Sequence, residues 1–323
     1  HKFAQLSGFV NGVLRNIARN IDSVQFDTLS IRYSMPQWIV DRFVAAYGEK
    51  KAEEIFKAFH NKSTISIRTN LTRCTPDELR AMLEAEGVTV TAVDELNYAF
   101  VISGFDYLNG LQSFRDGLFY VQDISSMLVA QTAAPKKGDY VIDVCAAPGG
   151  KSTHIAELLQ GSGHVLARDL TDTKVDMIEE NIERHGLNNM SAEVWDATVP
   201  DADSAGKADI LICDLPCSGL GVLGRKKDIR YKMTPESVDE LAALQRQILD
   251  TVHTYVKPNG VLVYSTCTID EAENEDNVRW FIEKHPEFEL DKSFAEGTGM
   301  KQILPGEHGS DGFFIARFIK SKL

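Results

Sequence analysis

Apolar residues at the start of the chain recur three and four positions apart. In the segment KFAQLSGFVNGVLRNIAR, Phe3, Leu6, Val10, Val13, Leu14 and Ile17 fall on one side of a helix, with Arg15 and Arg19 on the other. Such a stripe needs a cover, so this helix is expected either to pack on later segments or to be the last helix of a preceding domain. Helical character continues from Asp22 to about Asn61, with Pro36 suited to a first turn and Trp38, Ile39, Phe43 and Val44 facing inward. The texture changes at Ser63. Thr64–Asn70 alternates like a strand, Pro76–Glu86 reads as a helix closed by Gly87, and Val88–Val93 and Tyr98–Ile102 return to strand. This pattern predicts a helical segment over residues 1–62 and a small α+β domain over 63–112.

Beyond Gly117, short apolar runs alternate with helix-compatible stretches, which is how a parallel sheet covered by helices is written. The runs are Tyr140–Val144, His164–Ala167, Ala192–Val194, Ile210–Cys213 and Val261–Tyr264, with Phe313–Ile319 as a closing strand. Residues 113–323 are expected to form one α/β domain. With 323 residues, 43% of them hydrophobic, the chain is long enough for two or three domains. No run approaches the ~20 apolar residues of a membrane span, and no secretory leader is visible. The first residue is His1 rather than Met, so a fragment or a processed chain is expected.

Cysteine usage and charge narrow the chemistry. The five cysteines, Cys74, Cys145, Cys213, Cys217 and Cys267, show no disulfide framework, which suits a reducing cytoplasm. Cys213 and Cys217 lack a second Cys or His pair nearby, so no metal is expected. The net charge of −13 argues mildly against a polyanionic partner. A nucleic-acid enzyme needs only a local basic face, however, and Arg225, Lys226, Lys227, Arg230 and Lys232 offer one, diluted only by Asp228.

The segment YVIDVCAAPGGK over 140–151 is a strand running into a small-residue turn and then a helix beginning near Ser152. Small residues let backbone N–H groups approach a ligand, and the helix start favours negative charge. A Walker loop would need Gly where Cys145 stands, and the dinucleotide fingerprint is absent. A different arrangement fits. The next strand ends at Asp169, placed for a ribose diol, and the third at Trp195–Asp196, placed for an adenine edge. A loop followed by acids on successive strand ends suits S-adenosylmethionine, although Asp169 alone reads equally as a helix N-cap.

Two further strands end in cysteines: Asp209–Cys217, continuing into Ser218 and Gly219, and Val261–Cys267. Open α/β sheets bind ligands at the carboxyl ends of their strands, and neighbouring strands lie about 4.8 Å apart, so both thiols can face one pocket. Period-two alternation places Cys213 on the opposite face from Asp214, as core filler. A thiolate adding to C6 of cytosine makes C5 an enamine carbon able to attack a sulfonium methyl. A carboxyl group at ring N3 assists, and Asp214 is the candidate. The bland alternative is that both cysteines are small buried hydrophobes.

These segments resemble a known family. CAAPGGK at 145–151, DLPCSG at 214–219 and STCT at 265–268 look like the signature motifs of the Sun/Nop-type RNA cytosine-5 methyltransferases. YVQDISS at 120–126 and PGEHGSDGFF at 305–314 match further stretches of that family, and 64–70 resembles the start of its small N-terminal domain. The likeness extends over nearly the whole chain. GFVNGVLRNIAR at 8–19 is similar to the final helix of a NusB-like RNA-binding domain in the bacterial branch acting on small-subunit ribosomal RNA, and LSIRYSMPQW at 29–38 to the linker that follows it. On that likeness, most of the NusB-like domain is expected to lie outside this chain.

The resemblance implies a seven-stranded, Rossmann-like class I methyltransferase sheet. It implies an S-adenosylmethionine site made by Cys145, Ala146, Ala147, Pro148, Gly149, Gly150, Lys151, Asp169, Asp196 and Asp214. It further implies Cys267 as nucleophile, Cys217 as the thiol that helps release product, RNA (small-subunit ribosomal RNA) as substrate, and a cytoplasmic monomer. Thr268 stands where Ser is commoner, a conservative departure. Two rival functions are a DNA cytosine-5 methyltransferase, whose nucleophile comes from the Pro-Cys loop, and a silent RNA-binding assembly factor. The second would tolerate loss of Cys267 or of the glycine-rich loop, and this chain keeps both.

Overall fold

The computed structural model describes residues 6–61 and 64–322. Phe3 and the Ser63 boundary expected from the sequence lie outside the described residues. The chain divides into two units between Phe56 and Lys57.

The first unit is helical, as its periodicity predicts. It holds α1 (Ser7–Asn20), α2 (Leu29–Arg32), α3 (Gln37–Tyr47) and most of α4 (Glu49–His60). Thr28 caps α2 by accepting from the Ile31 N–H. Pro36 caps α3, which ends at Gly48 with φ +77°. The inner face of α3 differs from expectation: Ile39, Val40 and Phe43 are buried, whereas Trp38 and Val44 are half-buried, because Val40 lies closer to the centre of the stripe. Phe43 stacks on Phe56 of α4, ring centroids 5.7 Å apart. The described part of α1 buries none of its residues.

The second unit begins with β1 (Ile65–Thr69), α5 (Pro76–Ala85), β2 (Thr89–Val93), β3 (Leu96–Ser103), α6 (Gln112–Arg115) and β4 (Phe119–Val121). Thr75 and Glu78 close a capping box at the start of α5, with Pro76 in its first turn. The four strands form an antiparallel sheet in the order β2-β3-β1-β4. Ile67, Phe100, Ile102 and Phe119 pack there against Leu79 and Leu83 of α5. Beyond the boundary expected at residue 112, β4 adds to this sheet by pairing with β1. Arg68 on β1 is fully buried and ties the small sheet to the next layer. It pairs with Glu157 and donates to Thr153 Oγ1 at 3.1 Å and Gln122 Oε1 at 2.9 Å.

The large sheet follows. Its elements are α7 (Ile124–Ala133), β5 (Tyr140–Asp143), α8 (Gly150–Leu158), β6 (His164–Asp169), α9 (Asp172–His185), β7 (Met190–Val194), β8 (Ala208–Asp214), α10 (Ile229–Lys232), α11 (Pro235–Val252), β9 (Val256–Thr266), α12 (Glu275–Lys284), β10 (Phe288–Leu290), β11 (Met300–Ile303) and β12 (Phe313–Lys320). Seven strands run in the order β10-β12-β9-β8-β5-β6-β7, and the short β11 adds an eighth beside β12. Strands β9, β8, β5, β6 and β7 are parallel, while β12 runs antiparallel to β9.

Alternation along each strand sends its side chains to two cores. Ile142, Leu211, Cys213, Leu262 and Tyr264 meet α11 and α12 through Ile248, Leu249, Val278 and Phe281. Val141, Val165, Ile210, Ile212 and Val263 meet α7 and α8 through Val129, Ala130, Ile155 and Ala156. Burying each large aliphatic or aromatic side chain contributes about 1.5–3 kcal/mol. Cys213 is indeed core filler, with no exposed surface. Among the described residues, no helix is long and apolar enough to cross a membrane.

Candidate active site

The strand order fixes where a ligand can sit. From β5 the chain steps outward to β6 and β7, then returns to lay β8 and β9 on the other side of β5. The switch point lies between β5 and β8, and beyond the carboxyl ends of the strands at such a point is where open α/β sheets form their ligand crevice. The loop after β5 and the loop after β8 border this crevice, and they carry Cys145–Lys151 and Asp214–Cys217.

The first loop is pinned from beneath. Asp143, buried at the end of β5, accepts from Ser152 Oγ and from the Cys145 N–H at 3.4 Å. Burial pushes its carboxyl up to about 7, against the pull of Ser152. Gly149, at φ +101°, supplies the left-handed residue that opens α8. A Cβ at Gly150 would stand 3.0 Å from the Tyr120 ring. Cys145 is packed rather than reactive, since burial pushes its thiol well up.

The acids lie where the strand ends predicted, with different freedoms. Asp169 Oδ2 accepts the Ala147 N–H at 2.9 Å, so this acid faces the loop, while Oδ1 accepts from the Leu170 N–H and Lys174 Nζ, both at 2.8 Å. The N-cap alternative is therefore set aside: Thr171 occupies the cap of α9. Asp196 is exposed just past β7. Its Oδ1 accepts from the Thr198 hydroxyl at 2.7 Å and N–H at 2.8 Å, which holds its carboxyl below the usual range. Asp214 Oδ2 accepts from Lys151 Nζ at 2.7 Å and Oδ1 from Ser265 Oγ at 2.7 Å. Burial works against the Lys151 ammonium, but Asp214 beside it prevails and raises its pKa. Ser265, quoted in the STCT motif but given no role, stands two residues before Cys267, and strand alternation is the signal that would have assigned it one.

The two thiols meet. Cys217 and Cys267 Sγ atoms are 3.2 Å apart, and the Cys267 N–H reaches Cys217 Sγ at 3.3 Å. That sulfur also accepts the backbone N–H, and one thiol hydrogen is shared across the contact, with either sulfur able to donate. This contact, aided by Lys151 and Lys226, holds the Cys267 thiol below its ordinary value despite burial and Asp214. The same contact, then burial, raises Cys217. Sequence reasoning missed the residue beneath this pair. Glu273 is fully buried and accepts from the Ser218 N–H and hydroxyl and from Gln245 Nε2. Nothing in the stretch EAENED distinguishes it from a solvated helix start.

The basic stretch is not the row of free cations expected. Arg225 bridges Asp123 at 2.6 Å and Asp311 at 2.7 Å. Arg230 is buried and donates to the Leu223 carbonyl, so it does not face solvent, and Arg225, though exposed, is engaged by two carboxylates. Lys232 pairs with Asp228 at 2.7 Å on the surface. Lys226 and Lys227 are exposed beside the crevice loop. Burial and the neighbouring Asp123 push the Asp311 carboxyl up to about 6, against the pull of Arg225.

Comparison with known proteins agrees with this geometry. The family described as 16S rRNA methyltransferase RsmB/F matches residues 130–319, and an RsmF/B-like ferredoxin-like domain matches 35–105. The probable ribosomal RNA small subunit methyltransferase B of Bacillus subtilis is 38% identical over 98% of this chain and 74% of its own length. A methyltransferase homologue from Pyrococcus horikoshii is 25% identical with a TM-score of 0.76, over 90% of this chain and 97% of that one. NSun6 from the same organism, solved with SFG, is 24% identical with a TM-score of 0.80, over 89% of this chain and 99% of that one, a likeness of fold. The chain belongs to the 16S rRNA methyltransferase RsmB/F family and is an S-adenosylmethionine-dependent RNA methyltransferase of the class I fold.

Proposed function

We propose that this protein methylates C5 of a cytosine in small-subunit ribosomal RNA through a covalent bond from Cys267 to ring C6. The observation that carries this reading is the thiol pair beyond the ends of β8 and β9, whose sulfurs lie 3.2 Å apart in a contact that lowers the Cys267 thiol. A methyl donor whose acceptor were oxygen or nitrogen would have no use for such a pair, whereas C5 needs a nucleophile at C6 to become reactive.

The crevice residues suit S-adenosylmethionine. Its ribose hydroxyls, adenine amino group and α-ammonium are donors, and Asp169, Asp196 and Asp214 supply carboxylate acceptors around a small-residue loop. Cys145–Lys151 would line its backbone-facing side. When bound, it supplies an electrophilic methyl group on a sulfonium. The protein's residues do the rest. Cys267 thiolate forms the S–C6 bond, while the Lys151–Asp214 pair holds an exchangeable proton for ring N3. C5 then takes the methyl. Release requires removal of the C5 proton and departure of Cys267 from C6, steps that Cys217 assists. Lys226 and Lys227 are the cations available to the RNA backbone.

Bisulfite sequencing of 16S ribosomal RNA from a strain lacking this gene tests the reading. One protected cytosine becomes convertible on deletion and is protected again on complementation. An unchanged bisulfite pattern, with methyl loss at another base or atom, would overturn it.

A further inference from the structure

We propose that Glu273 is a positioning residue that holds the Cys217 loop against Cys267 and so sets the thiol pair for product release. This rests on the reading above, in which Cys217 assists release.

Glu273 lies on neither thiol's strand. It sits in the turn before α12, with no exposed surface. Its carboxylate gathers the loop that carries Cys217. Oε1 accepts the Ser218 N–H at 2.9 Å, Oε2 accepts the Ser218 hydroxyl, and Oε1 also accepts Gln245 Nε2 at 2.9 Å. The same Gln245 nitrogen donates to the Pro216 carbonyl at 2.8 Å. The residues on either side of Cys217 are therefore both held through Glu273, one directly and one through Gln245. The other thiol is anchored to the same turn. Thr268 Oγ1 lies 3.0 Å from Ser218 Oγ, close enough for its hydroxyl to donate to that oxygen, Thr266 Oγ1 donates to Asn274 Oδ1 at 2.6 Å, and Asn274 Nδ2 donates to the Thr268 carbonyl at 3.2 Å. The turn thus fixes the chain on both sides of Cys267 as well as on both sides of Cys217.

A buried carboxylate is costly unless its acceptors are filled. Here three donors fill it, and two of them belong to the residue next to Cys217. Burial raises its pKa, which is the expected cost of this location. Tyr264 and Asn277 brace Gln245 from the core side, donating to its Oε1 at 3.0 and 2.7 Å, so the clamp is continuous with the packed interior. Removing the carboxylate leaves the Ser218 N–H and one of the two Gln245 amide hydrogens without an acceptor, the other still on the Pro216 carbonyl, and frees the loop to drift from Cys267. Gln at this position keeps one acceptor for the Ser218 N–H. Its amide can donate to Ser218 Oγ, whose own hydrogen then turns to Thr268 Oγ1, so Gln should restore part of the clamp.

The test compares Glu273→Ala and Glu273→Gln with Cys217→Ala in the full chain, using labelled substrate RNA. We expect Glu273→Ala to lower kcat by about tenfold or more with KM for S-adenosylmethionine little changed. It should also accumulate the denaturation-resistant RNA adduct that Cys217→Ala gives, with Glu273→Gln intermediate in both. An independent readout follows the thiols alone: diamide should join Cys217 and Cys267 as a disulfide, seen as loss of two hydrogens by intact mass, several-fold more slowly in Glu273→Ala than in the native protein. Should Glu273→Ala not fold, Glu273→Gln must still show slowed turnover and adduct build-up. Native turnover and native disulfide rate in a folded Glu273 variant would overturn the proposal. So would loss of S-adenosylmethionine binding together with activity. If Cys217→Ala itself accumulates no adduct, the assigned role of Cys217 fails, whereas an adduct from Cys217→Ala but from neither Glu273 variant refutes Glu273 alone.

Discussion

At the residue scale, Asp169 shows how one side chain can serve both the fold and the site. Its position at a strand tip, past a small-residue loop, was legible from the sequence. That its carboxylate would reach back to the Ala147 N–H was not, because spacing along a chain does not say which way an acid turns at a strand end. The same limit hid Glu273, whose burial follows from the packing of three loops rather than from local pattern. Asp169→Ala should weaken S-adenosylmethionine binding by ~1–3 kcal/mol, the cost of a lost hydrogen bond to a charged group. Calorimetry with the native and variant proteins measures it, and equal affinities would remove Asp169 from the cofactor site.

At the scale of elements, long periodic segments were legible and short ones were not. Strands β5, β6, β8 and β12 follow their apolar runs, because a strand buried on both faces must be apolar throughout. Strands β7 and β9 instead begin earlier, at Met190 and Val256, with half-buried or exposed residues among the added ones. Strands β4, β10 and β11 have three, three and four residues, too few for alternation to show. The loop from Arg225 to Lys232 is the clearest case of pattern misleading. Five cations in eight positions look like one patch, but the fold turns Arg230 inward and spends Arg225 on two carboxylates. Charge reversal at Lys226 and Lys227 together should therefore weaken RNA binding and flatten its dependence on salt, by roughly one fewer counterion released per lysine. An unchanged slope in a filter-binding titration would mark these lysines as ordinary surface.

At the scale of the whole molecule, the sheet order brings the loops after β5 and β8, distant in sequence, side by side, so that Lys151 meets Asp214. The sequence's alternation of strands and helices implied such a sheet, whereas joining the small sheet to it through β4 and Arg68 required the structure. This architecture buries Asp143 at the base of the crevice, with a folded pKa of about 7 against about 3.9 in an unfolded chain. Between those values the folded protein keeps a proton that the unfolded chain has lost, so this group's contribution to stability falls as pH rises from about 4 to 7 and stays low above it. Asp143→Asn should consequently be more stable than the native protein at pH 8, by at most ~4 kcal/mol, and should lose that advantage near pH 4. Urea unfolding at the two pH values checks the sign, and an advantage confined to acid pH would contradict it.

The central claim is that the two thiols act in sequence, Cys267 forming the bond to RNA and Cys217 assisting its release. A denaturing gel of labelled substrate RNA with each single variant tests it directly. Cys267→Ala should give no adduct and no methylation, and Cys217→Ala should give an adduct that does not resolve. A stable adduct from Cys267→Ala with none from Cys217→Ala would contradict the account and assign the attack to the Pro-Cys loop instead.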